Sequence, residues 1–206
     1  MGKGRRQFGF TLVEMLVALA LVLILISSVM RLGQYIKTRA SVQLTRSALA
    51  VIDTALQQYY SDFNGTFPFS TDLDNDGNSD VFVKTTLETL LAATINAENL
   101  LEKDGNAVGQ SFASSVGLYW YLYRLPNSRA IIDAITPSLI AIKHPQETQQ
   151  KLTATIGGTV YDLPRFVDTW GMSLRYEYVP KADTFPKVTS AGPDRVFGTD
   201  DDIESQ

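Results

Sequence analysis

Apolar residues recur along this chain in three rhythms. From Phe10 to Met30 they run almost unbroken (FTLVEMLVALALVLILISSVM), with one acid, Glu14, among them. As a helix, these 21 residues reach roughly 31 Å at ~1.5 Å each, the thickness of a bilayer's hydrocarbon core, so the segment predicts a membrane-spanning helix. From Leu44 the spacing becomes three and four: Leu44, Ala48, Val51, Ala55, Tyr59 and Phe63 describe the stripe of an amphipathic helix. No proline occurs before Pro68, so one helix is expected from about Phe10 to Ser61, roughly 78 Å long, with Gly33 the place for any bend. Near the carboxy terminus the period falls to two. Leu174, Tyr176 and Tyr178 alternate with Ser173, Arg175 and Glu177, which predicts a half-buried strand, and a second strand near Phe185 to Ser190 pairs with it as a hairpin.

Between these patterns, residues 84 to 165 read as helical. Thr85 with Glu88 forms a capping box, Leu87, Leu90, Leu91 and Ile95 make a helical face, and Gly105 offers a stop. A second helix carries Phe112, Val116, Trp120 and Tyr123, and a third begins near Asn127 and ends before Pro137. The Tyr119 to Tyr123 aromatic cluster reads as core rather than as a ligand platform, and His144, followed by Pro145, as a surface loop residue. The expected class is α+β: a long amino-terminal helix packed on a small antiparallel sheet, with a helical insertion.

Composition narrows the chemistry. A chain of 206 residues that is 45% hydrophobic and 19% charged can bury a core and is not disordered. There is no cysteine and one histidine, which excludes a disulfide framework, thiolate zinc sites, a Cys nucleophile and chemistry needing two imidazoles; any metal must be bound by oxygen. With 18 basic against 22 acidic residues, net charge −4 and no basic cluster downstream of the amino terminus, no nucleic-acid partner is expected. For an enzyme the chain lacks G-x-S-x-G, H-E-x-x-H and a phosphate-cradling glycine loop.

The amino terminus is where charge is most unevenly placed. Residues 1 to 9 (MGKGRRQFG) carry Lys3, Arg5 and Arg6 and no acid, which orients this end toward the cytoplasm and the remainder outside. Three export readings compete. A secretory signal cut after Ala20, at the Ala18-Leu19-Ala20 step, leaves a mostly apolar stretch where a polar mature chain should begin. A twin-arginine signal fits Arg5, Arg6, Gln7 and Phe8 but lacks a cleavage site beyond the apolar run. A cut after Gly9 leaves the apolar helix on the mature protein. Glu14 favours this third reading, because a carboxylate at membrane depth costs roughly 2.5–3.5 kcal/mol and needs a partner or a function.

The run Gly9-Phe10-Thr11-Leu12-Val13-Glu14-Met15-Leu16 behind a short basic leader resembles the signature of the type IV pilin and type II secretion pseudopilin superfamily. That resemblance implies a pilin-like fold, cleavage between Gly9 and Phe10 by a prepilin peptidase and methylation of the new Phe10 amine. It further implies that Glu14 neutralises the Phe10 amine of a neighbouring subunit in a helical filament, since two charges expensive alone in an apolar medium are tolerable as a pair. The helix exit, Ala55 to Pro68 with its aromatic last turn and Asn64-Gly65, is similar to that of the family, as is Asp168-Thr169-Trp170-Gly171, where the family carries proline in place of Thr169. On this basis the chain divides into a leader (1–9), a transmembrane or filament-core helix (10–31) and a periplasmic head (32–206) that includes the insertion at about 84–165.

Two aspartate-rich loops are candidate Ca²⁺ sites. Ser190 to Ile203 (SAGPDRVFGTDDDI) resembles the calcium loop of type II secretion major pseudopilins. By position it implies carboxylates from Asp194, Asp201 and Asp202, with Asp200 a further candidate, and carbonyls from Ala191, Val196 and Thr199, a donor set of hard oxygens. Arg195 stands where the family often has glycine. In the second loop, Asp72, Asp74, Asp76 and Asp80 around Gly77 reproduce the first half of a helix-loop-helix calcium site without its closing acid, Val83 standing there instead; a polar surface turn uses the same residues.

Together these readings predict a non-enzymatic subunit of a periplasmic pseudopilus in a type II secretion system. It is expected to be anchored once in the inner membrane with its amino terminus cytoplasmic and its head periplasmic. The expected partners are further copies of itself, the prepilin peptidase, the inner-membrane assembly platform and minor pseudopilins. The alternatives are a minor pseudopilin, a type IV pilin for adhesion or DNA uptake, or a membrane-anchored calcium-dependent enzyme or binding protein.

Overall fold

A computed structural model describes residues 12–68, 93–95, 107–142, 153–178 and 184–205. The chain forms two compact units, Met1–Ala40 and Ser41–Gln206. Helix α1 is Leu12–Asp62, the single proline-free helix that the sequence predicts. In the first unit its described apolar side chains are exposed, from Leu12 at 77% to Ile26 at 49%. Among the described residues no helix is long and apolar enough to cross a membrane; the described side chains of the apolar run end at Ser27, before the run ends at Met30.

In the second unit α1 buries Thr45, Ala48, Leu49, Ile52, Ala55, Leu56 and Tyr59. This stripe is rotated from the predicted one: Ala48, Ala55 and Tyr59 belong to it, whereas Leu44 and Phe63 are exposed. Steps of four residues overshoot the 3.6-residue turn, so a series built mostly on them drifts around the helix. The helix ends as predicted. Asn64 and Gly65 take left-handed backbone (φ 51° and 72°), and the Gly65 N–H donates to the Tyr60 carbonyl at 3.0 Å. Phe67 then packs its ring 4.6 Å from Tyr60, 5.3 Å from Tyr178 and 5.1 Å from Phe185, tying the helix exit to the carboxy-terminal hairpin.

That hairpin is β6 (Arg175–Glu177) and β7 (Lys187–Ser190), antiparallel with Tyr176 opposite Val188. A third strand, β8 (Ile203–Glu204), pairs with the other edge of β7, Ile203 opposite Ser190. Leu174, Tyr176, Val188 and Ile203 face the same core as Leu49, Ile52 and Leu56 of α1. The small antiparallel sheet packed on the long helix is therefore present.

The insertion is only partly helical. Helices α2 (Ala107–Arg124) and α3 (Pro126–Ile132) stand where two were predicted, and α2 packs on α3, on β6 and on the short strand β5 (Arg165–Phe166). Val116 is buried as expected, but Tyr123 lies at the surface because Leu118 and Leu122, not Trp120 and Tyr123, take the innermost positions. The rest is β-structure. Ile95, assigned by its spacing to a helical face, lies in β1 (Ala93–Ile95), which pairs with β3 (Thr153–Ile156), and β3 pairs in turn with β4 (Thr159–Asp162). The β3–β4 connection is Gly157-Gly158 with φ 56° and 84°, the two-residue turn whose twist matches that of the strands it joins. A short pair, β2 (Ile140–Ala141) with β5 (Arg165–Phe166), completes the insertion. The other residues of the proposed first helix, Thr85 to Leu91, lie outside the described residues, as does His144.

Candidate functional site

The processing residues Gly9 and Phe10 lie outside the described residues. Glu14 is described: it sits in the first turn of α1, exposed and flanked on its own helix by the exposed Leu12, Val13, Met15 and Leu16. An acid near the first turn interacts favourably with the amino-terminal end of the helix dipole. In the same segment Ser27 donates its hydroxyl to the Leu23 carbonyl at 2.9 Å, which satisfies a polar group within an apolar stretch without outside partners.

At the carboxy terminus the aspartates are set by the loop's own backbone. Asp194 accepts from the Val196 N–H at 2.8 Å. Asp201 Oδ2 accepts from the Asp194 N–H at 3.1 Å and Oδ1 from the Thr199 hydroxyl at 2.5 Å, so these two predicted residues are brought together across the loop. The Thr199 bond, aided by the Asp194 contact, holds the Asp201 carboxyl below its ordinary 3.8. Asp202 Oδ2 accepts from the Gly198 N–H at 2.8 Å. Asp200 is exposed. Phe197 is held by Arg175, whose guanidinium lies 4.7 Å from its ring centroid.

Among the described residues no three His, Asp or Glu side chains are grouped as a metal site would group them. Two features of the loop nevertheless suit a hard cation. Asp202 Oδ1 is buried and lacks a hydrogen-bond partner, and the backbone closes so tightly at Gly192 (φ 65°) that a Cβ there would stand 2.2 Å from the Asp201 carbonyl oxygen. The second loop, Asp72, Asp74, Asp76 and Asp80, lies outside the described residues.

The foot of the loop rests on Asp168. Its Oδ1 accepts from the N–H groups of Trp170 and Met172, each at 2.9 Å, and its Oδ2 from the Ser190 hydroxyl at 2.7 Å; Ser190 Oγ in turn accepts from the Gly192 N–H at 3.2 Å. Burial raises the Asp168 carboxyl above 3.8, and these hydrogen bonds together with Arg195 only partly offset it. Thr169 makes use of its hydroxyl: it lies 3.1 Å from Thr45 Oγ1 on α1 and donates to the Ser41 carbonyl at 3.3 Å. Sequence reasoning missed the contacts of Asp168 with Ser190 and of Thr169 with Thr45, since nothing in the local pattern marks partners more than twenty residues apart.

Residues 4–30 match the prokaryotic N-terminal methylation motif. No curated protein and no solved structure matches the chain significantly. The motif is the prepilin-type signal. It supports the pilin superfamily and indicates a type IV pilin-like structural protein that prepilin peptidase processes, with a membrane-anchored amino terminus. The α+β build, with its long helix and small antiparallel sheets, is compatible with a pilin-like fold.

Proposed function

We propose that the chain is a pseudopilin, a subunit that assembles into the helical periplasmic pseudopilus of a type II secretion system after cleavage between Gly9 and Phe10 and methylation of Phe10. The methylation motif at residues 4–30 carries this reading. Glu14 in the first turn of α1 and the exposed apolar side chains after it support it: a helix with this surface needs lipid or other helices around it, and an acid within such a stretch is costly at membrane depth unless it serves a function. The head, in the periplasm, holds Ca²⁺ in the carboxy-terminal loop through the carboxylates of Asp194, Asp201 and Asp202 and the carbonyls of Ala191, Val196 and Thr199. The unpartnered Asp202 oxygen and the close approach at Gly192 support that assignment.

Mass spectrometry of the mature amino terminus tests the reading. A mass matching N-methylated Phe10 is expected in cells that hold the peptidase. A mature chain starting at Met1, or after Ala20, overturns it.

A further inference from the structure

The corner between α2 and α3 encloses an open recess of about 340 Å³ lined by Tyr123, Arg124, Pro126, Arg129, Ala130 and Asp133. Arg129 lies over the Tyr123 ring, 4.2 Å from its centroid, and Tyr123 stacks on Tyr119 at 5.5 Å. A guanidinium lying on an aromatic face keeps its in-plane N–H donors for another partner. Asp133 does not use them up: it approaches Arg129 only at 4.0 Å, and both side chains are at least half exposed. Arg124, also exposed, brings a second guanidinium to the same recess. Two arginines in one recess, with an aromatic floor, match carboxylates.

Acidic residues are concentrated elsewhere on the same unit, in the carboxy-terminal loop, where Asp194 and Asp200 are exposed and Asp201 and Asp202 partly so; of the four, Asp200 lies outside the proposed Ca²⁺ ligands. The loop is already fixed by its aspartate-to-backbone bonds and by Arg175 on Phe197, so docking it loses little conformational freedom. Asp200 is exposed and takes no part in those bonds.

We infer that the α2–α3 recess receives the acidic carboxy-terminal loop of a second copy of this chain, with Arg124 and Arg129 facing Asp200. Recess and loop are different patches, so the contact is head-to-tail, the kind that propagates into an open helical array rather than closing a dimer. This rests on the filament reading above and assigns a task to the insertion.

The chain lacks cysteine, which permits a direct test in cells producing the full chain with its assembly apparatus. One copy carrying Arg129→Cys and another carrying Asp200→Cys are produced together and oxidised mildly. A disulfide-linked dimer that forms only when both are present is expected; its absence overturns the contact. Arg129→Glu is expected to lower filament abundance roughly fivefold, and Asp200→Arg in the same chain to restore it. Filaments of Arg129→Glu as abundant as those of the unaltered chain overturn the inference, and if secretion alone then fails, the recess serves an exported protein instead. If the unaltered chain carries methylated Phe10 and forms filaments while the Arg129→Cys and Asp200→Cys pair gives no cross-link, this contact alone is removed. A chain that is unprocessed and forms no filament removes the filament reading and this contact together.

Discussion

Asp168 holds three hydrogen bonds at 2% exposure, yet burial still raises its carboxyl above 3.8. A raised folded-state value means that the protonated form is favoured on folding. Stability from this group is therefore fully present below 3.8 and falls as pH rises through the raised value. Asp168→Asn removes that dependence, so thermal melts between about pH 4 and 7 should show the unaltered head losing stability with rising pH and the variant losing less of it. Gly192 offers a steric counterpart. A Cβ 2.2 Å from the Asp201 carbonyl oxygen, on left-handed backbone, cannot be accommodated without opening the loop, and Gly192→Ala should destabilise the head by about 2 kcal/mol or more in chemical denaturation. The glycine is visible in the sequence. The carbonyl it must clear lies nine residues on, and only the closed loop brings it there.

Among the elements, the proposed Ca²⁺ assignment makes the carboxy-terminal loop the one that ties function to stability. An ion that binds only the folded loop stabilises by about 2.7 kcal/mol at ~100 times its dissociation constant, a rise of roughly 5–10 °C in melting temperature for a head of this size. Chelator should therefore lower the melting temperature of the unaltered head by about that amount. Asp201→Ala should melt at the lower temperature with or without chelator, and a variant that still responds to chelator would remove Asp201 from the site. The two carboxy-terminal strands were legible because alternation over Ser173 to Tyr178 has only one physical reading, a pleated strand with one buried face. The insertion was less so. Gly157-Gly158 between two Thr-bearing segments is a hairpin signal present in the sequence, but the helical spacing upstream, from Thr85 to before Pro137, dominates the reading of the region. Ile95 shows why: one apolar residue at the end of an i, i+3, i+4 series fits either period, and pairing with β3 decided the matter.

For the whole molecule, the proposed cut after Gly9 changes the electrostatics. Removing Lys3, Arg5 and Arg6 with the leader takes the side-chain charge from −4 to −7, so copies that stack must offset repulsion between acidic heads. In the apolar segment the balance rests on Glu14. On the filament reading proposed above, its loss leaves the Phe10 ammonium of a neighbouring copy uncompensated in apolar surroundings, a penalty of about 3 kcal/mol or more. Glu14→Gln should therefore reduce filament abundance about a hundredfold by electron microscopy, while leaving cleavage at Gly9, read by mass, in place. Filaments as abundant as before would end the pairing role.

By itself the sequence determined the amino-terminal motif, the uninterrupted α1, its aromatic and Asn-Gly exit and the terminal hairpin, because each depends on residues adjacent in the chain: the backbone torsions, the side-chain period and the missing proline are local quantities. Only the tertiary structure decided which face of α1 turns inward, that the insertion pairs strands as well as packing helices, that Thr169 reaches α1, and that Arg124 and Arg129 share a recess with Tyr123. Those outcomes depend on which distant surfaces exclude water together and which buried polar atoms find partners, and a linear pattern carries no information about contacts that close only when the chain has folded.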